Sequence, residues 1–69
     1  MKASDDPMGM ADADLAEFEA VQRRLADTYA ALATKAGEDV TAGGYRRLAA
    51  THKAAHQSAL DELLRRRLP

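Results

Sequence analysis

Side chains in the first half of the chain repeat at alternating intervals of three and four residues, the spacing of a helix face that packs against other helices. Gly37 follows the repeat and is the residue type that most often ends a helix. The pattern therefore predicts one helix over residues 12–36. The repeating positions are Leu15, Phe18, Gln22, Leu25, Tyr29, Leu32 and Ala36.

The second half of the chain contains a single further helical stretch. Neither Gly nor Pro occurs between Tyr45 and Arg67, which predicts a helix over residues 45–67. The segment 37–44, GEDVTAGG, is the only interior break, and its two adjacent glycines favour a loop. Two helices joined by a short loop pack antiparallel. We therefore expect an all-α fold, an antiparallel helical hairpin spanning residues 11–69, with arms of roughly 35 Å.

Residues 1–10 are small, acidic or turn-forming, and their apolar positions follow no period. This composition predicts a disordered N-terminal tail. One alternative is that Asp6 caps a short helix whose first residue is Pro7, a position that proline tolerates well.

The 69-residue chain has little material for a core. Hydrophobic residues make up 46% of it, but many are alanine, and there is no cysteine to form a disulfide. Small scaffolds of this kind gain stability by binding a metal or by burying apolar surface against another chain. The simplest way to bury the apolar face of each helix, called here the apolar stripe, is a homodimer of hairpins that forms a four-helix bundle. The alternative is that another protein covers the apolar stripe.

The charge balance disfavours nucleic acid as a partner. The net charge is −1, with 30% charged residues, so there is no excess of basic groups to bind phosphates. Arg65, Arg66 and Arg67 are expected to be solvated and to complement the helix dipole, with a phosphate contact as the alternative. No apolar run approaches the roughly 18–20 residues of a membrane span. We therefore expect a cytoplasmic protein that does not enter a membrane.

Two histidines lie four residues apart on the second helix. At about 100° per residue, His52 and His56 fall within about 20° of Tyr45, at the centre of the apolar face. Antiparallel pairing across an eight-residue loop places His52 level with Tyr29, and His56 level with Leu25. We therefore expect both imidazoles to face the interior or a partner.

A buried imidazole needs hydrogen-bond partners, because losing one costs roughly 1–3 kcal/mol. Gln22 and the hydroxyl of Tyr29 are candidate partners, and such a polar layer would fix the helix register. The alternative is a metal site, in which His52 and His56 of two copies bind a transition metal such as Zn, Ni or Cu.

The paired-helix layout resembles half of a ferritin-like bundle, the kind that dimerises around a di-iron site. The Glu-x-x-His ligand motif of that family is missing, because Lys53 and Ala49 precede the two histidines by three residues. The helix glutamates are Glu17, Glu19 and Glu62, and none of them falls in the middle of the apolar face. An enzymatic function is therefore not indicated.

The sequence favours a small, non-enzymatic interaction or assembly module that closes its stripe on itself or on a partner protein. A metal-binding four-helix bundle is the alternative function. A third possibility is a regulatory module that stays monomeric until it docks as a helical pair. The expected interface consists of Leu15, Phe18, Gln22, Leu25, Tyr29, Leu32, Tyr45, Leu48, His52, His56, Ala59, Leu60 and Leu63.

Overall fold

A computed structural model describes residues 7–67, which form a hairpin of two packed α-helices preceded by one short turn of 3₁₀-helix. The long helices are α1 (Asp12–Ala36) and α2 (Val40–Arg67), and the 3₁₀ turn is Pro7–Gly9. The described part of the chain contains no strand. The all-α hairpin expected from the sequence is therefore confirmed.

Helix α1 begins without a side-chain cap. Its N-cap residue is Ala11, whose side chain has no hydrogen-bonding group, but Asp12 and Asp14 place negative charge in the first turn. Such charge is favourable beside the free N–H groups of a helix N-terminus. At the other end Gly37 adopts a φ of 67°, and its N–H is directed at the carbonyls of Ala33 and Thr34. Glycine reaches this conformation at no steric cost, which explains why α1 ends there.

Helix α2 begins at Val40 rather than at Tyr45, so the connection is much shorter than the expected loop 37–44. Gly43 and Gly44 lie inside the first turns of the helix. The N–H of Ala42 bonds to the carbonyl of Asp39, which starts the helical pattern immediately after the turn. The helix propensity lost at a glycine is only about 1 kcal/mol, which packing of the following helix overrides.

The core between the helices is thin and consists mainly of alanine. Leu15, Ala42 and Ala59 are fully buried and Ala33 is nearly so. Of these, only Leu15 has a large side chain. Small side chains leave little apolar area to bury, so the hairpin alone gains a modest hydrophobic stabilisation.

The described part of the N-terminal tail contains a short turn. Residues 1–6 and the proposed cap Asp6 lie outside the described residues. Pro7 begins the 3₁₀ turn, and the N–H of Met10 bonds to its carbonyl. Arg66 of α2 donates hydrogen bonds to the carbonyl groups of Pro7 and Met8. The disorder expected for residues 1–10 stays a prediction.

Candidate interaction surface and its polar layer

A polar pair joins the middles of the two helices. The Nδ1 atom of His52 lies 2.6 Å from the amide oxygen of Gln22, and the contact is partly buried. Because an amide oxygen only accepts hydrogen bonds, Nδ1 carries a proton and donates it in this contact. Gln22 is one of the two partners that the sequence suggested for the histidines of the apolar face. The register differs from the expected one, which placed His52 level with Tyr29.

Tyr29 contributes its ring to this layer rather than its hydroxyl group. It stacks with His52 at a centroid distance of 5.6 Å and an interplanar angle of 10°. It also stacks with Tyr45 at 6.2 Å and 24°. The three rings stack in one column. This column extends the apolar contact between the two helices past the hydrogen bond of His52 with Gln22.

His56 lies against the carboxylate of Glu19, which the sequence did not suggest as its neighbour. Its Nδ1 atom is 2.8 Å from the Oε2 atom of Glu19, and both side chains are at least four-fifths buried. The atoms are close, but the alignment is not that of a hydrogen bond, so this nitrogen lacks one among the described residues.

The short connection explains why the histidines meet these partners. Starting α2 at Val40 moves its residues towards the open end of the hairpin, relative to a loop over 37–44. His52 therefore pairs with Gln22, and His56 lies beside Glu19 instead of Leu25. The register follows directly from the length of the turn.

The expected metal site is not assembled by one hairpin. Within residues 7–67, no three His, Cys, Asp or Glu side chains cluster closely enough to hold a metal ion. The Nδ1 atom of His52 is hydrogen-bonded to Gln22, which leaves Nε2 of His52 and the ring nitrogens of His56 for a ligand. Further ligands would have to come from a second copy.

The open end of the hairpin carries a cluster of charges around a buried carboxylate. Glu62 is only 5% exposed, a burial that the sequence did not suggest. Arg65 donates to both carboxylate oxygens, and Arg66 donates from Nε to Oε2 at 2.8 Å. These hydrogen bonds lower the pKa of Glu62 from 4.5 to about 2.

Arg66 also connects α2 to the N-terminal end of the chain. Its Nη1 atom lies 2.7 Å from the carboxylate of Asp12, and Nη2 donates to the carbonyls of Pro7 and Met8. The expectation that all three terminal arginines are solvated is therefore wrong for Arg66, whose side chain is 21% exposed. This guanidinium gathers acceptors from three segments, as its planar fork of donors allows.

Large apolar side chains remain on the surface of the hairpin. Val21 is 36% exposed, Leu48 42% and Leu64 49%. Of the expected interface residues, Leu15 and Ala59 are buried between α1 and α2, and Leu48 is exposed. The others are partly buried: Phe18, Gln22, Leu25, Tyr29, Leu32, Tyr45, His52, His56, Leu60 and Leu63.

Comparison with protein-family models, with curated proteins and with solved structures gives no match for this chain. Neither helix, within the residues described, combines the length and the apolar character needed to cross a membrane.

Proposed function

We propose that this chain is a small, non-enzymatic assembly module that pairs with a second copy to form a four-helix bundle. The observation that carries the proposal is the incomplete burial of its apolar residues. Leu15 is the only large side chain fully buried within the described hairpin, while Val21, Leu48 and Leu64 are exposed. We expect the protein to be cytoplasmic, and the proposed function requires neither nucleic acid nor a membrane.

Association supplies the burial that the hairpin lacks. Covering one leucine or phenylalanine side chain completely is worth roughly 1.5–3 kcal/mol. Several half-buried side chains, among them Phe18, Leu25 and Leu32, stand to gain part of this amount. A chain of this size with no disulfide commonly relies on oligomerisation for stability.

The polar layer supports an assembly role in a different way. The hydrogen bond between His52 and Gln22 penalises any sliding of the helices that would leave a partly buried donor unpaired. Polar residues in an apolar seam commonly select register and partner. The hairpin therefore presents its outer face in one defined geometry.

Sedimentation velocity over a hundredfold range of chain concentration, with circular dichroism on the same samples, tests this proposal. We expect a highly helical dimer at micromolar concentration that dissociates with loss of helicity on dilution. A monomer that is poorly helical at every concentration would instead support docking on a different protein. A stable, fully helical monomer would contradict both forms of the proposal.

Metal binding across the dimer, through His52 and His56, stays a prediction. Native mass spectrometry in zinc-containing buffer and after chelation distinguishes it from the structural role. A metal-free dimer that chelator leaves unchanged agrees with the polar layer. A dimer that carries zinc, and loses it in a variant with both histidines changed to leucine, would move the protein to the metal-binding class.

A further inference from the structure

Helix α2 covers only one side of α1. Leu15 and Ala33 are buried beneath it, and Gln22 and Tyr29 contact His52. On one flank of this contact, shallow grooves run between the helices. They are lined by small and charged residues that include Arg23, Ala26, Asp27, Ala30, Ala49 and Lys53. The opposite flank of α1 carries larger apolar side chains.

That flank forms a second heptad-spaced stripe, which shares Phe18, Leu25 and Leu32 with the repeat found in the sequence and lies to one side of the residues that contact α2. Its neighbouring members are separated alternately by four and three residues, so they share one face of the helix. We call this surface the outer stripe. Its members, in order, are Asp14, Phe18, Val21, Leu25, Thr28, Leu32 and Lys35.

Four of the seven members are large and apolar, and none is buried in the hairpin. Val21 is 36% exposed, and Phe18, Leu25 and Leu32 are half-buried. The two ends of the stripe, Asp14 and Lys35, are exposed and carry opposite charges. A row of apolar side chains bounded by charges is typical of a surface that packs on another helix.

The order of residues along the outer stripe is suited to a reversed copy of itself. A two-fold axis through Leu25 pairs Phe18 with Leu32, Val21 with Thr28, and Asp14 with Lys35 of the other copy. A parallel arrangement would instead place Asp14 against Asp14 and Lys35 against Lys35. Complementary charges select orientation, and the apolar members supply the buried area.

We infer that the dimer forms by antiparallel packing of α1 on α1 along the outer stripe, with the two-fold axis at Leu25. This inference rests on the proposed function and specifies its surface and orientation. Leu48 of α2 extends the apolar surface at the centre of the stripe. It is 42% exposed, and it lies between Tyr45 and His52, which contact Tyr29 and Gln22.

The other exposed apolar patch has no comparable symmetry. It lies at the open end, where Leu60, Leu63 and Leu64 line a groove with Asp12 and Arg66. These two charged groups already pair with each other within one chain. Leu64, at 49% exposure, therefore serves as a control position that is at least as accessible as Val21.

Single-cysteine crosslinking tests the position of the axis, because the natural chain contains no cysteine. In L25C, the two introduced thiols lie next to each other across the axis. Under mild oxidation at micromolar concentration, we expect L25C to form a covalent dimer at least about tenfold faster than L64C or R23C, since proximity raises the effective concentration. Equal rates for the three variants would overturn the inference.

Charge reversal tests the orientation. We expect K35E to raise the dimer dissociation constant severalfold, and D14K/K35E to restore it towards the natural value. Each substitution opposes the dipole of α1, so a change in helix stability cannot produce the recovery. Failure of the double variant to recover would overturn the antiparallel pairing.

Matched controls separate this inference from the proposed function. D27K reverses one charge on the grooved flank, and we expect it to leave the dissociation constant unchanged. V21S should weaken the dimer, whereas L64S should not. If L64S dissociates the dimer and V21S does not, the outer stripe is the wrong surface although the assembly module stands. If the natural chain forms no dimer, the proposed function itself fails.

Discussion

The Nδ1 atom of His52 donates a 2.6 Å hydrogen bond to the amide oxygen of Gln22, thirty residues earlier in the chain. This bond joins the centres of the two helices, beside the stacked ring of Tyr29. The bond is partly buried. If one partner is removed, water therefore does not fully satisfy the polar group that remains. The pair therefore contributes both to the stability of the hairpin and to its register.

Removing one member of this pair should cost more than removing both. We expect Q22L and H52L each to lower the free energy of unfolding by about 1 kcal/mol, because each leaves one polar group partly buried without a partner. The double variant should be more stable than the sum of the single effects predicts. Urea denaturation at a fixed chain concentration measures the three changes and their coupling.

An exposed hydrogen bond of the same helix provides the comparison. Gln57 donates to Asp61 at 3.1 Å on the solvent side of α2. Pairs of this kind are worth only about 0.2–0.5 kcal/mol. If the coupling energy between Gln22 and His52 is as small as that between Gln57 and Asp61, the partly buried hydrogen bond contributes no more to stability than an exposed one.

Glu62 makes the stability of the hairpin sensitive to acid. Hydrogen bonds from Arg65 and Arg66 lower its pKa from 4.5 to about 2, so the folded state favours the charged carboxylate. This stabilisation is complete above about pH 4.5, and it is lost as the pH falls towards 2. We expect E62Q to be less stable than the natural chain at pH 7, with the difference shrinking through this range.

Urea midpoints measured from pH 7 to pH 2 test this expectation. Glu17 is an exposed carboxylate on α1, so E17Q serves as the control for loss of a negative charge. E17Q should follow the pH profile of the natural chain more closely than E62Q does. A constant difference between E62Q and the natural chain from pH 7 to pH 2 would contradict the role of the arginine contacts.

The sequence predicted those features that depend on local patterns. Helix α1 occupies Asp12–Ala36, the range predicted from the heptad repeat, because its apolar spacing is continuous and Gly37 can adopt a positive φ. Gln22 was identified as a partner for a seam histidine because a buried imidazole needs one. These inferences need only neighbouring residues and the chemistry of their side chains.

Features that depend on tertiary packing were missed. Gly43 and Gly44 suggested a loop, and the extra length shifted the expected register, so Glu19 was not recognised as the neighbour of His56. The burial of Glu62 was missed as well. Its spacing to Arg65 and Arg66 gave a signal, since residues three and four apart on a helix contact each other. Spacing alone does not show which face the next segment covers.

The glycines provide a direct test of where α2 begins. A Cβ atom added at Gly43 or Gly44 meets no atom within 4 Å, and both residues lie inside the helix. We therefore expect G43A and G44A each to raise the free energy of unfolding by roughly 0.5–1 kcal/mol, because alanine loses less backbone entropy than glycine in a helix. Urea denaturation with circular dichroism measures the stability and the helix content together.

Gly37 is the matched control, since the same substitution there should have the opposite sign. Its φ of 67° is costly for alanine, so G37A should lower the free energy of unfolding by about 1–2 kcal/mol. If G43A and G44A also destabilised the chain, the two glycines would be needed in a loop. The helix would then begin near Tyr45, and the pairing of His52 with Gln22 would need a different register.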